Sequence, residues 1–180
     1  QKARKKKDII TQSMYFEKSN INDNEISAGD GDGGDSDNTY GNITKKQGNK
    51  IILIRNMNID NTMYIAFENK QVKAYPKSSN IEAQNNMSLI LHIIPFNIQI
   101  KLSTIYGGSV KSMNSGGMLG ILVNNTTGGT TYILEPVINN NNKNFIYNKD
   151  QFYMKNKLTN TYVMYDNSTF FLYDKATSPT

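Results

Sequence analysis

The feature that most constrains this chain is a segment it contains twice. Asn61 to Lys77 (NTMYIAFENKQVKAYPK) aligns with Asn160 to Lys175 (NTYVMYDNSTFFLYDK) if one gap is allowed. Tyr64 then falls on Tyr162, Tyr75 on Tyr173 and Lys77 on Lys175. Between these identities the residue classes agree: Ile65 with Val163, Phe67 with Tyr165, Glu68 with Asp166, Val72 with Phe170, Ala74 with Leu172. Upstream, Leu53-Ile54-Arg55-Asn56 answers Tyr153-Met154-Lys155-Asn156. Asn makes up about one residue in seven, so shared Asn carries little weight and the aromatic and apolar matches define the repeat. A fainter third copy lies between the two. Ile98-Gln99-Ile100-Lys101 opens it, Val110 takes the Tyr64 place, and Leu119 to Leu122 takes the third strand. Self-similarity at a spacing of about fifty residues implies one supersecondary unit used three times.

The unit is made of strands. From Lys50 onward, short β-branched and aromatic runs alternate with clusters of Asn, Gly, Asp and Ser, the pattern of an all-β domain. Eleven runs qualify: 51–56, 63–68, 71–75, 88–94, 98–103, 109–113, 118–123, 132–137, 152–156, 162–165 and 169–173. In the fifth, Ile98, Ile100 and Leu102 share one face while Gln99, Lys101 and Ser103 share the other. Nothing after residue 50 keeps a period of 3.6, so no helix is expected there.

Four strands taken three times is the plan of a β-trefoil, a six-stranded barrel closed at one end by three hairpins. The run Phe152-Tyr-Met-Lys-Asn-Lys-Leu-Thr-Asn-Thr-Tyr-Val also resembles the F-x-I-x-N-x-x-T-x-x-Y-L opening of fascin-like and ricin-like trefoil repeats. The resemblance spans residues 50–180, is good in the last repeat and poor in the middle one, and implies a fold rather than a function. Ile54, Ile100 and Met154 are expected at equivalent barrel positions. Eleven strands leave the plan one short, and Met14–Glu17 has the length and composition to fill the gap from the other terminus. The competing architecture is a jelly roll or two-sheet sandwich, which also needs many short strands but no threefold repeat. The expected organisation is a basic leader with a flexible Gly/Asp-rich loop over residues 1–49, then a β-trefoil-like domain over 50–180.

Charge is concentrated at one end. Lys2, Arg4, Lys5, Lys6 and Lys7 supply five positive charges, which equals the net charge of the whole chain, +5. Residues 8–180 are therefore neutral, and the pI near 9.2 reflects the leader. A nucleic-acid binder spreads basic residues over a folded face, so no specific nucleic-acid partner is expected. The five leader residues are expected to touch an acidic partner or anionic surface.

Several chemistries are excluded or disfavoured. There is no Cys and one His, so thiolate and His-cluster metal sites are out. Asp30, Asp32, Asp35 and Asp37 offer oxygen ligands, but counting an EF-hand loop from Asp30 puts Asp35 where Gly is needed and Gly41 where Glu is needed. His92 sits in a strand and the sequence places no Ser or Asp beside it to make a triad, so it is expected to be structural. The clusters Tyr106-Gly-Gly-Ser and Ser115-Gly-Gly-Met precede no helix and are expected to be turns. The longest apolar run, Met87 to Phe96, is too short to span a bilayer, and no signal peptide is legible. No catalytic residue, metal or cofactor is expected.

The expected function is therefore noncatalytic: a protein-interaction or structural module within a larger assembly. An Asn-, Lys- and Ile-rich composition fits an AT-rich genome, such as that of a large DNA virus, and with it a virion or coat component. The alternative is a carbohydrate-binding, lectin-like trefoil. Its aromatic platforms would come from Tyr64, Tyr162 or Tyr165, because without Trp the Gln-x-Trp motif of the ricin class is absent.

Overall fold

Alternation along the strands becomes a barrel because each strand places two apolar side chains inward and pairs on both edges. The computed structural model describes residues 12–21, 50–57, 62–94, 98–112, 119–122, 128–138, 146, 150–166 and 169–174. In chain order the elements are β1 (Met14–Lys18), β2 (Lys50–Asn56), β3 (Met63–Glu68), β4 (Gln71–Tyr75), α1 (Ile81–Met87), β5 (Leu89–Ile94), β6 (Gln99–Thr104), β7 (Ser109–Ser112), β8 (Leu119–Leu122), β9 (Tyr132–Pro136), β10 (Phe152–Asn156), β11 (Thr161–Asp166) and β12 (Thr169–Asp174). The basic leader, the Asp30–Asp37 stretch and the Ser115-Gly-Gly-Met cluster lie outside the described residues.

Six strands form a closed antiparallel ring in the order β1, β2, β5, β6, β9, β10 and back to β1. Closure leaves the ring without open edges, and it differs from the facing sheets of a sandwich. The interior holds two side chains from each strand: Met14 and Phe16, Ile52 and Ile54, Leu89 and Leu91, Ile100 and Leu102, Tyr132 and Leu134, Phe152 and Met154. All belong to one cluster, and none is more than 2% exposed. Met14–Lys18 is thus a wall of the barrel, as the count of strands required. Phe16 packs on Phe152 with ring centroids 4.6 Å apart.

The other strands form three hairpins, β3–β4, β7–β8 and β11–β12. Strands β4, β8 and β12 meet one another, and Ile65, Val72, Val110, Val163 and Phe170 join the barrel cluster. The β3–β4 connection is a two-residue turn in which Asn69 (φ 52) and Lys70 (φ 69) are both left-handed. That is the geometry that matches strand twist in a tight hairpin.

The register corrects two sequence assignments. Arg55 pairs with Tyr64, Lys155 with Tyr162, and Ser103 with Ser109. Ser103 therefore stands at the step of Arg55 and Lys155, and Leu102, not Ile100, at the step of Ile54 and Met154. Ile100 matches Ile52 and Phe152 instead. Val110 matches Ile65 and Val163, and Ser109 takes the Tyr64 step. A slip of two residues preserves which face points inward, so alternation alone could not detect the first error. Ile98 is not part of the strand: its φ of 48 places it in a turn before β6.

The expectation of no helix after residue 50 also needs correction. Seven residues form α1, capped by Asn80, whose side-chain Oδ1 accepts from the Ala83 amide at 3.1 Å. Met87 and Ala83 pack against Leu53, Tyr64 and Ala66 outside the barrel. This second layer explains why β2 is apolar on both faces.

Candidate functional site

The outer wall of the barrel carries polar residues in matched sets. On one side Glu17 Oε2 accepts from Arg55 Nη1 at 3.3 Å, and Glu17 Oε1 accepts from the Tyr64 hydroxyl at 2.8 Å. Arg55 also donates to the Tyr15 hydroxyl and lies 5.3 Å from that ring's centroid. On another side Lys155 Nζ is 2.9 Å from Glu135 Oε2, and the Tyr162 hydroxyl donates to Glu135 Oε1 at 2.7 Å. The ladder puts Glu17 opposite Leu53 and Glu135 opposite Tyr153, so the two sets occupy equivalent places. Burial, then the hydrogen bond to glutamate, raises the pKa of Tyr64 and of Tyr162. Each phenol stays a proton donor.

His92 occupies the third such place. It stands opposite Lys101, as Glu17 stands opposite Leu53, and its Nε2 lies 2.8 Å from Ser103 Oγ. The middle copy thus has His, Ser103 and Ser109 where the outer copies have Glu, a cation and Tyr. A serine beside His92 was not legible in the sequence because the contact crosses two strands. The pair has the chemistry of an activated hydroxyl, but Ser103 is only 3% exposed, which leaves no approach for an electrophile. Burial, with the charge of Lys101 adding to it, lowers the His92 pKa, so the ring is neutral at pH 7.

The open chemistry lies elsewhere. A groove of about 420 Å³ is lined by Phe67, Glu68, Asn69 and Lys70 from β3 and its turn, Glu82 and Asn86 from α1, and Thr104, Tyr106 and Gly108 from the β6–β7 turn. Tyr106 is 69% exposed. On the groove's flank Asn86 Nδ2 donates to the Tyr75 hydroxyl, which donates to Glu68 Oε2, each at 3.1 Å. Carboxylates, amides and a phenol ring around one opening can take hydroxyl pairs and the flat face of a ring.

The platforms expected from sequence are not platforms here. Tyr64 and Tyr162 are buried, and Tyr165 packs edge-on against Phe170 at 5.8 Å. In the sequence Tyr106 reads as part of a glycine turn, although an aromatic at a hairpin tip has little to pack on and so faces water. The five leader residues lie outside the described residues. Among the described residues no three His, Cys, Asp or Glu side chains gather to hold a metal, and no helix is long and apolar enough to cross a membrane. No family model matches the chain, and no curated protein matches it.

Proposed function

We propose that this chain is a noncatalytic binding module of β-trefoil architecture that works through contacts with other proteins in a larger assembly. The trefoil reading is supported by the closed ring, the three hairpins that meet beside it, and the register common to the three units. The functional reading rests on one observation: the polar residues of the wall are engaged with one another, while accessible polar side chains collect around the Tyr106 groove. Buried groups paired with one another hold a scaffold, and accessible groups around an opening can receive a ligand. The test is quantitative affinity capture with the intact chain, a Glu68→Lys/Glu82→Lys variant and a His92→Gln variant. A partner lost with the first variant and kept with the second is expected. Identical sets for all three proteins refute the reading.

A second reading, carbohydrate recognition, is favoured by the exposure of Tyr106 beside Glu82 and Asn86. A glycan array separates the two. Binding that disappears in Tyr106→Ala supports the sugar reading, and an array with no signal leaves protein contact as the function.

A further inference from the structure

The segment that closes the barrel is held like a bound peptide. Its backbone runs antiparallel to β2 for five pairs, from Met14 opposite Asn56 to Lys18 opposite Ile52, and touches β10 at Met14 opposite Phe152. The ladder continues past both ends: the Met57 amide donates to Ser13 O at 2.9 Å, and the Ser19 amide to Ile51 O at 3.0 Å.

Side chains then read the segment almost residue by residue. The Gln12 amide clasps the backbone of Tyr165, donating to its carbonyl at 2.9 Å and accepting from its N–H at 2.7 Å, and the same oxygen accepts from Asn56 Nδ2 at 2.7 Å. Ser13 donates to Gln151 at 2.7 Å. Met14 and Phe16 are fully buried, Glu17 takes Arg55 and Tyr64, and Ser19 meets Ser88 hydroxyl to hydroxyl at 2.7 Å. These side-chain bonds come from Gln12, Ser13, Glu17 and Ser19, ahead of most of the connection to β2.

That connection is long. Thirty-one residues separate Lys18 from Lys50, whereas neighbouring antiparallel strands are usually joined by about two to five. Its contour, roughly 100 Å, reaches well beyond the next strand.

We propose that the slot between β2 and β10 is a sequence-reading strand-acceptor site, filled here by residues 12–21 of its own chain and able to take the same segment from a second copy. The tether supplies a local concentration of order millimolar, so an intact chain at micromolar concentration fills its own slot. Once the tether is cut, that advantage is gone, and segments from two copies compete on equal terms.

The test uses the full chain with a protease site inserted between Asp30 and Asp37. After cutting, the piece carrying residues 12–21 is expected to co-elute with the rest on gel filtration. The chain has no cysteine, so Lys2→Cys takes a single fluorophore outside the segment. Label from one cut copy should pass into an excess of unlabelled cut copy. A labelled copy bearing Phe16→Asp should enter at least 100-fold less well, one bearing Gln12→Ala about tenfold less well, and one bearing Phe16→Leu nearly as well as the parent. Because each variant acts only as donor, the acceptor remains the parent fold. Separation of the two pieces on cutting, whether the remainder stays folded or precipitates, overturns the proposal. Equal uptake of the Phe16→Asp and parent segments does so as well.

Discussion

At the scale of single residues, the same positions carry different chemistry in the three units, and pH separates their contributions. The Tyr64 and Tyr162 phenols donate to Glu17 and Glu135, and a hydrogen bond to a charged group contributes about 1.5–3 kcal/mol. Tyr64→Phe and Tyr162→Phe should each lower unfolding stability by about 1–2 kcal/mol in urea titrations, with the slope unchanged. Both phenols have folded pKa values above the usual 10. Their contribution is therefore complete below pH 10 and is lost as pH rises from there toward the folded value. In the Phe variants the fall in stability above pH 10 should be shallower. His92 has the opposite sense. Its folded pKa lies below the usual 6.5, so the unfolded chain takes up the proton first. The contribution of His92 itself should be constant above about pH 6.5 and decline below it. A His92→Gln variant that declines just as steeply between pH 6.5 and 5 would show that another group is responsible. Asn56 and Asn156, discounted as compositional noise, are buried at the ends of equivalent strands. Asn156 Oδ1 accepts from the amides of Leu158 and Thr159 at 2.8 and 3.3 Å and so builds the β10–β11 turn.

At the scale of elements, β1 and α1 show two ways in which sequence signal fails. β1 is five residues long with one clear apolar pair, Met14 and Phe16, too short for periodicity to identify. What exposed it was the shortage of one strand in a threefold count. Removing residues 1–20 should cost several kcal/mol of the 5–15 kcal/mol that holds a domain of this kind, read by thermal or urea unfolding. Phe16→Ala alone should cost about 3–5 kcal/mol, because it removes a fully buried ring packed on Phe152. In α1 only Met87 is buried and Ile81 is 77% exposed, so the helix never shows an apolar stripe. Its legible sign was the cap, Asn80 before Ile81 and Glu82. Asn80→Ala should cost about 1 kcal/mol and loosen the wall of the Tyr106 groove that Glu82 and Asn86 supply.

For the whole molecule, the five cations of the leader equal the net charge of +5. Replacing Lys2, Arg4, Lys5, Lys6 and Lys7 with Gln should weaken association with an acidic partner at low salt and have little effect near 1 M. Exposed ion pairs contribute up to about 1 kcal/mol each and are screened within about 8 Å at physiological ionic strength. Unchanged affinity at low salt would remove the leader from the binding account. The sequence by itself determined the all-β class, eleven of the twelve described strands to within a residue or two by their pattern and the twelfth, β1, by the count, and the equivalence of the first and last units. Those properties depend on local alternation and on side chains such as Tyr64 and Tyr162 that recur in step. Tertiary structure alone decided the register of the middle unit, because shifting Ile100 by two residues leaves every side chain on its own face. It also decided the pairing of His92 with Ser103 and the groove beneath Tyr106. Both join residues that are neighbours only across strands or between hairpins, where pairing and packing, not local pattern, set the distances.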